Sequence, residues 1–164
     1  MVAGVLFWII TSYMTQGNSG QDQEAWRVIE RPAPPLLDTP ENSVRSYLEW
    51  ISYAYYTGNT DEAAAAMDIY ELPRIDAYIA KLTQDNLRIN QQLITLDFVS
   101  VQSQEATATV RTHEEWSYNY MNLEDLTWDE TILATYENTY TVVRHDDELW
   151  YVFSVDVRTS TGVR

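Results

Sequence analysis

A glutamate and several tyrosines are the residues of this sequence whose types and spacing suit chemistry best. Between residues 105 and 120 the side chains alternate, and Glu114 falls on the same strand face as Trp116 and Tyr118. A carboxylate beside an apolar wall and phenolic donors is an arrangement that removes a proton next to a carbonyl group. The predicted pocket residues are Glu114, Trp116, Tyr118, Tyr136 and Tyr140. The simpler interpretation, which the sequence favours, is that this strand end leaves the core and that Glu114 is solvated.

The remaining titratable residues form weaker candidate sites. Asp97 alternates with apolar neighbours and is expected in solvent, as is His113 on a polar strand face. His145 precedes two aspartates in a turn, but neither histidine has a second one at the spacing of metal ligands. The sequence holds no cysteine, no glycine-rich phosphate loop and no Gly-x-Ser-x-Gly nucleophile motif. We therefore expect no catalytic set, no metal site and no cofactor.

A longer acidic segment, residues 121–130, interrupts the strand-rich part of the sequence. It combines apolar and aromatic side chains with carboxylates, which is the composition of a protein–protein interface with a charged rim. The predicted partner-binding residues are Leu123, Glu124, Asp125, Leu126, Trp128, Asp129 and Glu130. The alternative is a solvated loop whose Trp128 folds back onto the sheet.

The composition limits the classes of partner. The chain has 164 residues, enough for one domain with a single core, and a formal net charge of -15 at pH 7. A strongly acidic protein is poorly suited to phosphate backbones, because these are bound through lysine and arginine. We therefore expect no nucleic acid, and we expect a protein partner to present a basic surface.

The N-terminal residues 2–14 are apolar apart from Thr11 and Ser12. As a helix they would rise about 20 Å, which is short against roughly 30 Å of hydrocarbon. Three interpretations stay open: a membrane anchor that begins further upstream, a signal-peptide core, and a buried helix of a soluble domain. We favour the anchor, which predicts membrane attachment through residues 2–14. Arg27 and Arg31, which follow it, taken alone indicate a cytoplasmic domain by the positive-inside rule. A proline-rich linker, residues 15–40, follows the anchor.

Periodicity then predicts three helices. Pro40 marks the start of the first, which carries one continuous apolar stripe, and Gly58 marks its end. A short alanine-rich helix spans about residues 61–68. Pro73 begins the third helix, with Asn86 on its apolar side.

From residue 91 the period changes to two, which predicts four antiparallel strands. Their predicted bounds are Leu93–Val101, Glu105–Tyr120, Thr131–Arg144 and Leu149–Val157, and residues 145–148 form the turn of the last hairpin. In the first strand, Ile94, Leu96 and Phe98 are expected to lie on the same face. The last strand is expected to point inward at Leu149, Tyr151, Phe153, Val155 and Val157.

Two segments resemble a known superfamily: residues 47–67, YLEWISYAYYTGNTDEAAAAM, and residues 139–157, TYTVVRHDDELWYVFSVDV. They are similar to the helix, Gly-Asn turn and closing strands of the nuclear-transport-factor-like superfamily, whose cone-shaped fold is shared with ketosteroid isomerase and polyketide cyclases. The resemblance covers about residues 41–158 and leaves residues 159–164 as a tail. It implies an α+β domain with N-terminal helices packed on a curved antiparallel sheet. Members tethered behind an N-terminal membrane helix, in bacterial envelope and organelle import or division proteins, usually act as binding or assembly modules. Their layout implies that the domain lies on the extracytoplasmic side. Homodimers through the open sheet face are common in the superfamily.

The favoured hypothesis is a non-enzymatic, membrane-tethered accessory domain that binds a protein partner, as a small subunit of a membrane complex. One alternative is a small-molecule-binding cone, and another is an isomerase- or cyclase-like enzyme. A cone filled by side chains would discard both alternatives. An open cone with a buried carboxylate would revive the enzyme.

Overall fold

Two helices cover one face of a four-stranded antiparallel sheet in the computed structural model, which describes residues 28–159. The helices are α1 (Pro40–Thr57) and α2 (Leu72–Gln84), with a 3-10 turn, Ala63–Ala66, between them. The strands are β1 (Leu87–Gln104), β2 (Thr107–Asn122), β3 (Ile132–Arg144) and β4 (Trp150–Thr159), and they pair in chain order. The predicted α+β class is confirmed.

Helix α1 has the predicted bounds because its sequence caps both ends. The Thr39 hydroxyl accepts a hydrogen bond from the backbone N–H of Asn42 at 3.1 Å, and Gly58 ends the helix with a φ of 73°. The predicted apolar stripe is buried and consists of Val44, Tyr47, Leu48, Ile51, Ala54 and Tyr55. This stripe faces the sheet and forms one wall of the core.

The two later helices are shorter than predicted. Residues 61–68 form only the 3-10 turn, whose Ala63 and Ala66 are fully buried beside α1. Helix α2 includes Pro73 in its first turn but ends at Gln84. Asn86 adopts a left-handed conformation with a φ of 58°, and the chain enters β1 immediately after it. The prediction that Asn86 lies on the apolar side of the helix is therefore wrong.

Strand β1 begins at Leu87 rather than Leu93, and two bulges interrupt its pairing with β2. The register skips Ile94 and Val99, so that each is an extra residue that breaks the alternation of faces. Ile94 is 57% exposed, whereas Leu96 and Phe98 pack against the core as predicted. The prediction that Ile94 shares their face is wrong, because it assumed an unbroken strand.

A further bulge divides the inward face of β4. Thr141 pairs with Ser154 and the next residue, Val142, pairs with Val152, so the register skips Phe153. Before the bulge the buried residues are Trp150 and Val152, and after it Val155 and Val157 line the central cavity. The inward face of β4 therefore changes from even to odd residue numbers at the bulge.

The predicted inward face of β4 is correct only after the bulge. Leu149 and Phe153 are 36% and 37% exposed, and Tyr151 is half-buried. Phe153 lies against the ring of Tyr70, with 5.4 Å between the ring centroids. The predicted inward positions of these side chains, with Phe153 under the first helix, are wrong because the bulge exchanges the two faces.

The turn over residues 145–148 joins β3 to β4, as the sequence predicts. His145 Nε2 lies 2.6 Å from Oδ2 of Asp68, a buried residue whose backbone N–H donates to the carbonyl of Val152. The turn is thereby tied to the segment that precedes α2.

Part of the predicted linker lies against the domain. The indole Nε1 of Trp50 donates to the carbonyl of Ala33 at 3.2 Å. The backbone N–H of Trp150 donates to the carbonyl of Leu37, whose side chain is buried. The predicted anchor, residues 2–14, and the tail beyond residue 159 fall outside the described residues. Between residues 28 and 159, no helix combines the length and the hydropathy of a membrane span.

Candidate functional site

Helices α1 and α2 and the facing side of the sheet surround a cavity of about 140 Å³ that opens to solvent. All five predicted pocket residues line it: Glu114, Trp116 and Tyr118 from β2, and Tyr136 and Tyr140 from β3. They meet because the two strands pair without a bulge, with Glu114 directly opposite Tyr136. Four further tyrosines extend this aromatic wall: Tyr47, Tyr55, Tyr78 and Tyr120.

Glu114 is buried in the cavity wall, with 1% of its surface exposed. Its Oε1 accepts hydrogen bonds from the hydroxyls of Thr112 and Tyr140, both at 2.6 Å. Its Oε2 accepts from Trp116 Nε1 at 2.8 Å and from Asn138 Nδ2 at 2.9 Å. Four donors match the acceptor capacity of an ionised carboxylate. The interpretation of Glu114 as a solvated strand-end residue is therefore wrong.

The cone is open and holds a buried carboxylate, which is the condition stated above for reviving the enzyme alternative. The four hydrogen bonds nevertheless limit the chemistry of Glu114. A general base needs a lone pair directed at the proton it removes. Both oxygens of Glu114 already accept two hydrogen bonds each, from donors on its own strand and on β3. The carboxylate thus joins β2 to β3 and places one negative charge in the cavity wall.

Arg74 and Glu71 form the second charged group beside the cavity. Arg74 Nε lies 2.9 and 3.1 Å from the two carboxylate oxygens of Glu71, which is 2% exposed. The Tyr47 hydroxyl donates to Glu71 Oε1 at 2.6 Å. Burial alone would lower the pKa of Arg74, but its hydrogen bond to Glu71 raises the pKa overall. Sequence reasoning missed this pair, although residues three apart at the start of a helix lie on one face.

Burial holds six tyrosines of the cavity wall in their neutral form. Burial raises the pKa of Tyr55 to about 12, although the positive charge of Arg74 acts to lower it. Burial also raises the pKa values of Tyr47 and Tyr140, and the negative charges of Glu71 and Glu114 raise them further. Burial is also the main cause of the raised pKa values of Tyr78, Tyr120 and Tyr136.

The predicted partner-binding segment is an ordered turn between β2 and β3. The backbone N–H of Asn122 donates to the carbonyl of Thr127 at 2.8 Å, and that of Leu126 donates to Asn122 at 2.9 Å. Asn86 Nδ2 donates to Glu124 Oε1 at 2.8 Å, which ties the turn to the residue before β1. We call residues 122–130 the acidic turn.

The acidic turn separates its charged and apolar side chains. Exposed carboxylates form its rim: Glu124, Asp125, Asp129 and Glu130. Leu123 and Trp128 are half-buried, and Trp128 forms a bridge with Met121 of β2, so the chain folds back there. Leu126 is instead 67% exposed, at a φ of 59°. A leucine in the left-handed region is strained, and such strain is concentrated at functional sites.

The other titratable candidates lie away from the cavity. Asp97 is exposed, as predicted, and it pairs across the sheet with half-buried His113 on the face opposite the helices. His145 contacts Asp68. Throughout residues 28–159, no three histidine, aspartate and glutamate side chains are grouped as metal ligands would be.

Comparison with known proteins shows that this chain is similar in structure to several solved proteins. No protein-family model and no curated protein sequence matches the chain. The intermembrane space region of the chloroplast protein ARC6 is similar, with a TM-score of 0.61 and 20% identity over 80% of this chain and 100% of that one. A nuclear transport factor 2 (NTF2-like) superfamily protein from Salmonella enterica has a TM-score of 0.51 and 9% identity over 75% of this chain and 94% of that one. The protein therefore has the fold of the nuclear transport factor 2-like superfamily, as its helix and hairpin segments predicted.

Proposed function

We propose that this protein is a non-enzymatic accessory or assembly domain that binds a protein partner through the acidic turn. The observation that carries this proposal is Leu126, a large apolar side chain that is 67% exposed on an ordered, hydrogen-bonded turn. An apolar side chain on a backbone that is already ordered costs less conformational entropy to bind than one on a mobile loop. An apolar centre within a polar rim is the arrangement of a protein–protein interface.

The charge around Leu126 favours a basic partner. Glu124, Asp125, Asp129 and Glu130 are all exposed within a few residues of it, in a chain whose formal net charge is -15. Exposed carboxylates of one sign accelerate encounter with an oppositely charged surface and discourage acidic partners. We therefore expect the affinity for the partner to fall as the salt concentration rises.

The bonding of Glu114 supports binding rather than catalysis. In the cavity wall, Glu114 is the acidic residue best placed for proton transfer, and four hydrogen-bond donors already occupy its oxygens. The neighbouring Arg74 is engaged by Glu71 and Tyr47. The proposal therefore assigns structural roles to these charged groups.

We further propose that residues 2–14 attach the domain to a membrane on its extracytoplasmic side. Their unbroken hydrophobicity motivates the attachment. The similarity to a domain from an intermembrane space supports the location. The test is fractionation of cells that express either the full chain or a version beginning at Gly17. Membrane recovery of the full chain alone is expected, and equal solubility of both would reject the anchor.

The interaction with the partner is tested by co-purification of charge variants from membranes. The double variant Glu124→Lys with Asp125→Lys should lose the partner while keeping the melting temperature of the wild type. The matched control is Glu105→Lys with Asp146→Lys, which changes the net charge by the same amount. Both are exposed acids, in the β1–β2 and β3–β4 turns at the end of the sheet opposite the acidic turn. Equal loss of the partner in both variants would show that net charge, and not the acidic turn, governs the interaction.

A homodimer through the open sheet face is a separate proposal that concerns a different surface. Leu133 is 73% exposed on β3, at a position that alternates with the cavity-lining residues of that strand. A second copy could cover it. Light scattering measures the molecular mass of the wild type and of Leu133→Lys. We expect a dimer in the wild type and a monomer in the variant, and a dimer that persists in the variant would show that this face is not used.

Small-molecule binding in the cone is a second candidate function. It is favoured by the cavity of about 140 Å³, because the side chains of residues 28–159 leave the cone open. An engineered cavity of roughly 150 Å³ accepts benzene, so a ligand of that size fits. Titration with a compact neutral alcohol, followed by chemical-shift changes at Tyr118 and Tyr136, is the test. Absence of shifts at millimolar concentration would reject binding of neutral compounds, and absence of shifts with a compact ammonium ion as well would reject this function.

A further inference from the structure

We propose that the cavity selects compact organic cations, with a trimethylammonium group as the recognised chemistry. This inference rests on the small-molecule-binding function proposed for the cavity and specifies its ligand class. It follows from the charge of the lining residues, from their aromatic character and from the size of the space.

The charge argument begins with the two ionised side chains that line the cavity, Glu114 and Arg74. Arg74 is neutralised by Glu71, whose two oxygens it contacts through Nε. Glu114 receives its four hydrogen bonds from hydroxyl, indole and amide groups, all of them uncharged. The described lining therefore carries one negative charge that no cation offsets. In a partly desolvated site, such a charge attracts a cation more strongly than it would in water.

The aromatic argument concerns the tyrosines around that charge. Seven tyrosines and Trp116 line the cavity. Aromatic rings carry negative π-faces and hydroxyl oxygens carry acceptor lone pairs, and a cation is attracted by both. The raised pKa values of Tyr47, Tyr55 and Tyr140 keep these hydroxyl groups protonated, so their contribution is that of neutral aromatic and hydroxyl groups. Aromatic cages of this composition are the usual receptors for quaternary ammonium groups.

The size of the cavity favours a compact cationic group. A space of about 140 Å³ is close to the roughly 150 Å³ that accepts benzene. A tetramethylammonium ion has fewer heavy atoms than benzene, and choline adds only a short polar tail that can remain at the open side. The rest of the protein favours approach of the ion, because its net charge of -15 produces a negative potential.

A pair of ligands of equal shape tests the inference on the wild-type chain. Choline and 3,3-dimethylbutan-1-ol differ in one atom, nitrogen against carbon, and therefore in charge but hardly in volume. We expect choline to bind at least about tenfold more tightly in a calorimetric titration, since a desolvated cation–π contact supplies that difference. Equal binding, or tighter binding of the alcohol, would overturn the cation inference and leave small-molecule binding intact. Binding of neither would overturn both.

Substitutions of cavity residues test which side chains cause the preference for choline. Glu114→Gln should remove most of the preference for choline over the alcohol, because it deletes the charge at nearly constant size. Tyr118→Leu, at a half-buried position, covers the case in which the Gln variant does not fold. It should weaken choline binding more than alcohol binding. Tyr151→Leu is the matched control, since Tyr151 is half-buried outside the cavity and should leave both affinities unchanged. A preference that survives both cavity variants would overturn the assignment.

A trimethylammonium group occurs both on free solutes and on lipid headgroups. One further experiment separates these two sources of the ligand. Sedimentation with phosphatidylcholine vesicles, with and without excess choline, is measured on the full chain and on the version beginning at Gly17. The second protein is needed because residues 2–14 are proposed to bind membranes independently of the cavity. Vesicle binding that choline displaces would support the inference with a lipid headgroup as the source. Choline binding without vesicle binding would support it with a free solute as the source.

Discussion

The hydroxyl group of Tyr140 donates a hydrogen bond of 2.6 Å to the carboxylate of Glu114, and each of these side chains is only 1% exposed. Tyr140 also packs edge-to-face against Tyr47 of α1, with 6.1 Å between the ring centroids. The contact therefore links the β2–β3 pair to the helix that covers it. A buried polar group with all its partners in place specifies one arrangement of the core, because losing one partner is costly.

The first prediction concerns the stability supplied by Glu114. Glu114→Ala leaves four buried donors without their acceptor and should lower the free energy of unfolding by about 3 kcal/mol or more, given 1–3 kcal/mol for each unsatisfied group. Denaturant unfolding measures this. The neighbouring Glu115→Ala is the control, because Glu115 is exposed on the opposite face and should cost less than about 0.5 kcal/mol. Similar losses in the two variants would contradict the buried network.

The second prediction tests the bulge in β4. Val152 is fully buried, whereas Phe153 is 37% exposed. Val152→Ala should cost about 2 kcal/mol, from the lost methyl groups and the cavity left behind, and Phe153→Ala about 1 kcal/mol. The larger side chain is thus expected to matter less. The reverse order in urea melts would mean that Phe153 points inward and that the register at Thr141 is unbroken.

The third prediction is a loss of stability in alkali. Burial raises the folded-state pKa of Tyr55 from its ordinary value of 10.0 to about 12, and burial also raises the pKa of five other cavity tyrosines. Above pH 10 the unfolded chain therefore binds fewer protons than the folded one, and stability falls as the pH rises towards 12. This contribution is fully present below pH 10. Tyrosinate absorbance and circular dichroism should change together, and early ionisation of the whole set in a folded protein would refute the burial.

The fourth prediction separates function from stability at Leu126. Glycine adopts a φ of 59° without the strain that a leucine side chain imposes. Leu126→Gly should leave the free energy of unfolding unchanged or raise it by up to about 1 kcal/mol, yet it should weaken partner binding. A clear destabilisation would indicate that Leu126 contributes to the core.

The sequence predicted the elements that rest on continuous periodicity. Helix α1 follows from its cap, its stripe and Gly58, and the inward face of β2 follows from alternation between Ala108 and Tyr118. The five pocket residues were found for the same reason, since β2 pairs with β3 without a bulge.

Alternation failed where a bulge inserts one residue, at Ile94 and Phe153. No residue type marks these positions, because each bulge is a property of the pairing between two strands. The burial of Glu114 was also underestimated. Its four donors come from two strands, and Asn138 and Tyr140 are brought to it only by the register. The acidic composition predicted a candidate interface, but the left-handed backbone at Leu126 depends on hydrogen bonds within the turn.

The central claim is that Leu126 contacts a protein partner, and site-specific photocrosslinking tests it most directly. A photoreactive amino acid replaces Leu126 in the full chain within its native membranes, and the control carries the same residue at Glu105. We predict one discrete adduct from position 126, abolished by Glu124→Lys with Asp125→Lys, and none from position 105. Adducts of equal yield from both positions, or an adduct that survives the charge reversal, would contradict a partner bound by the acidic turn.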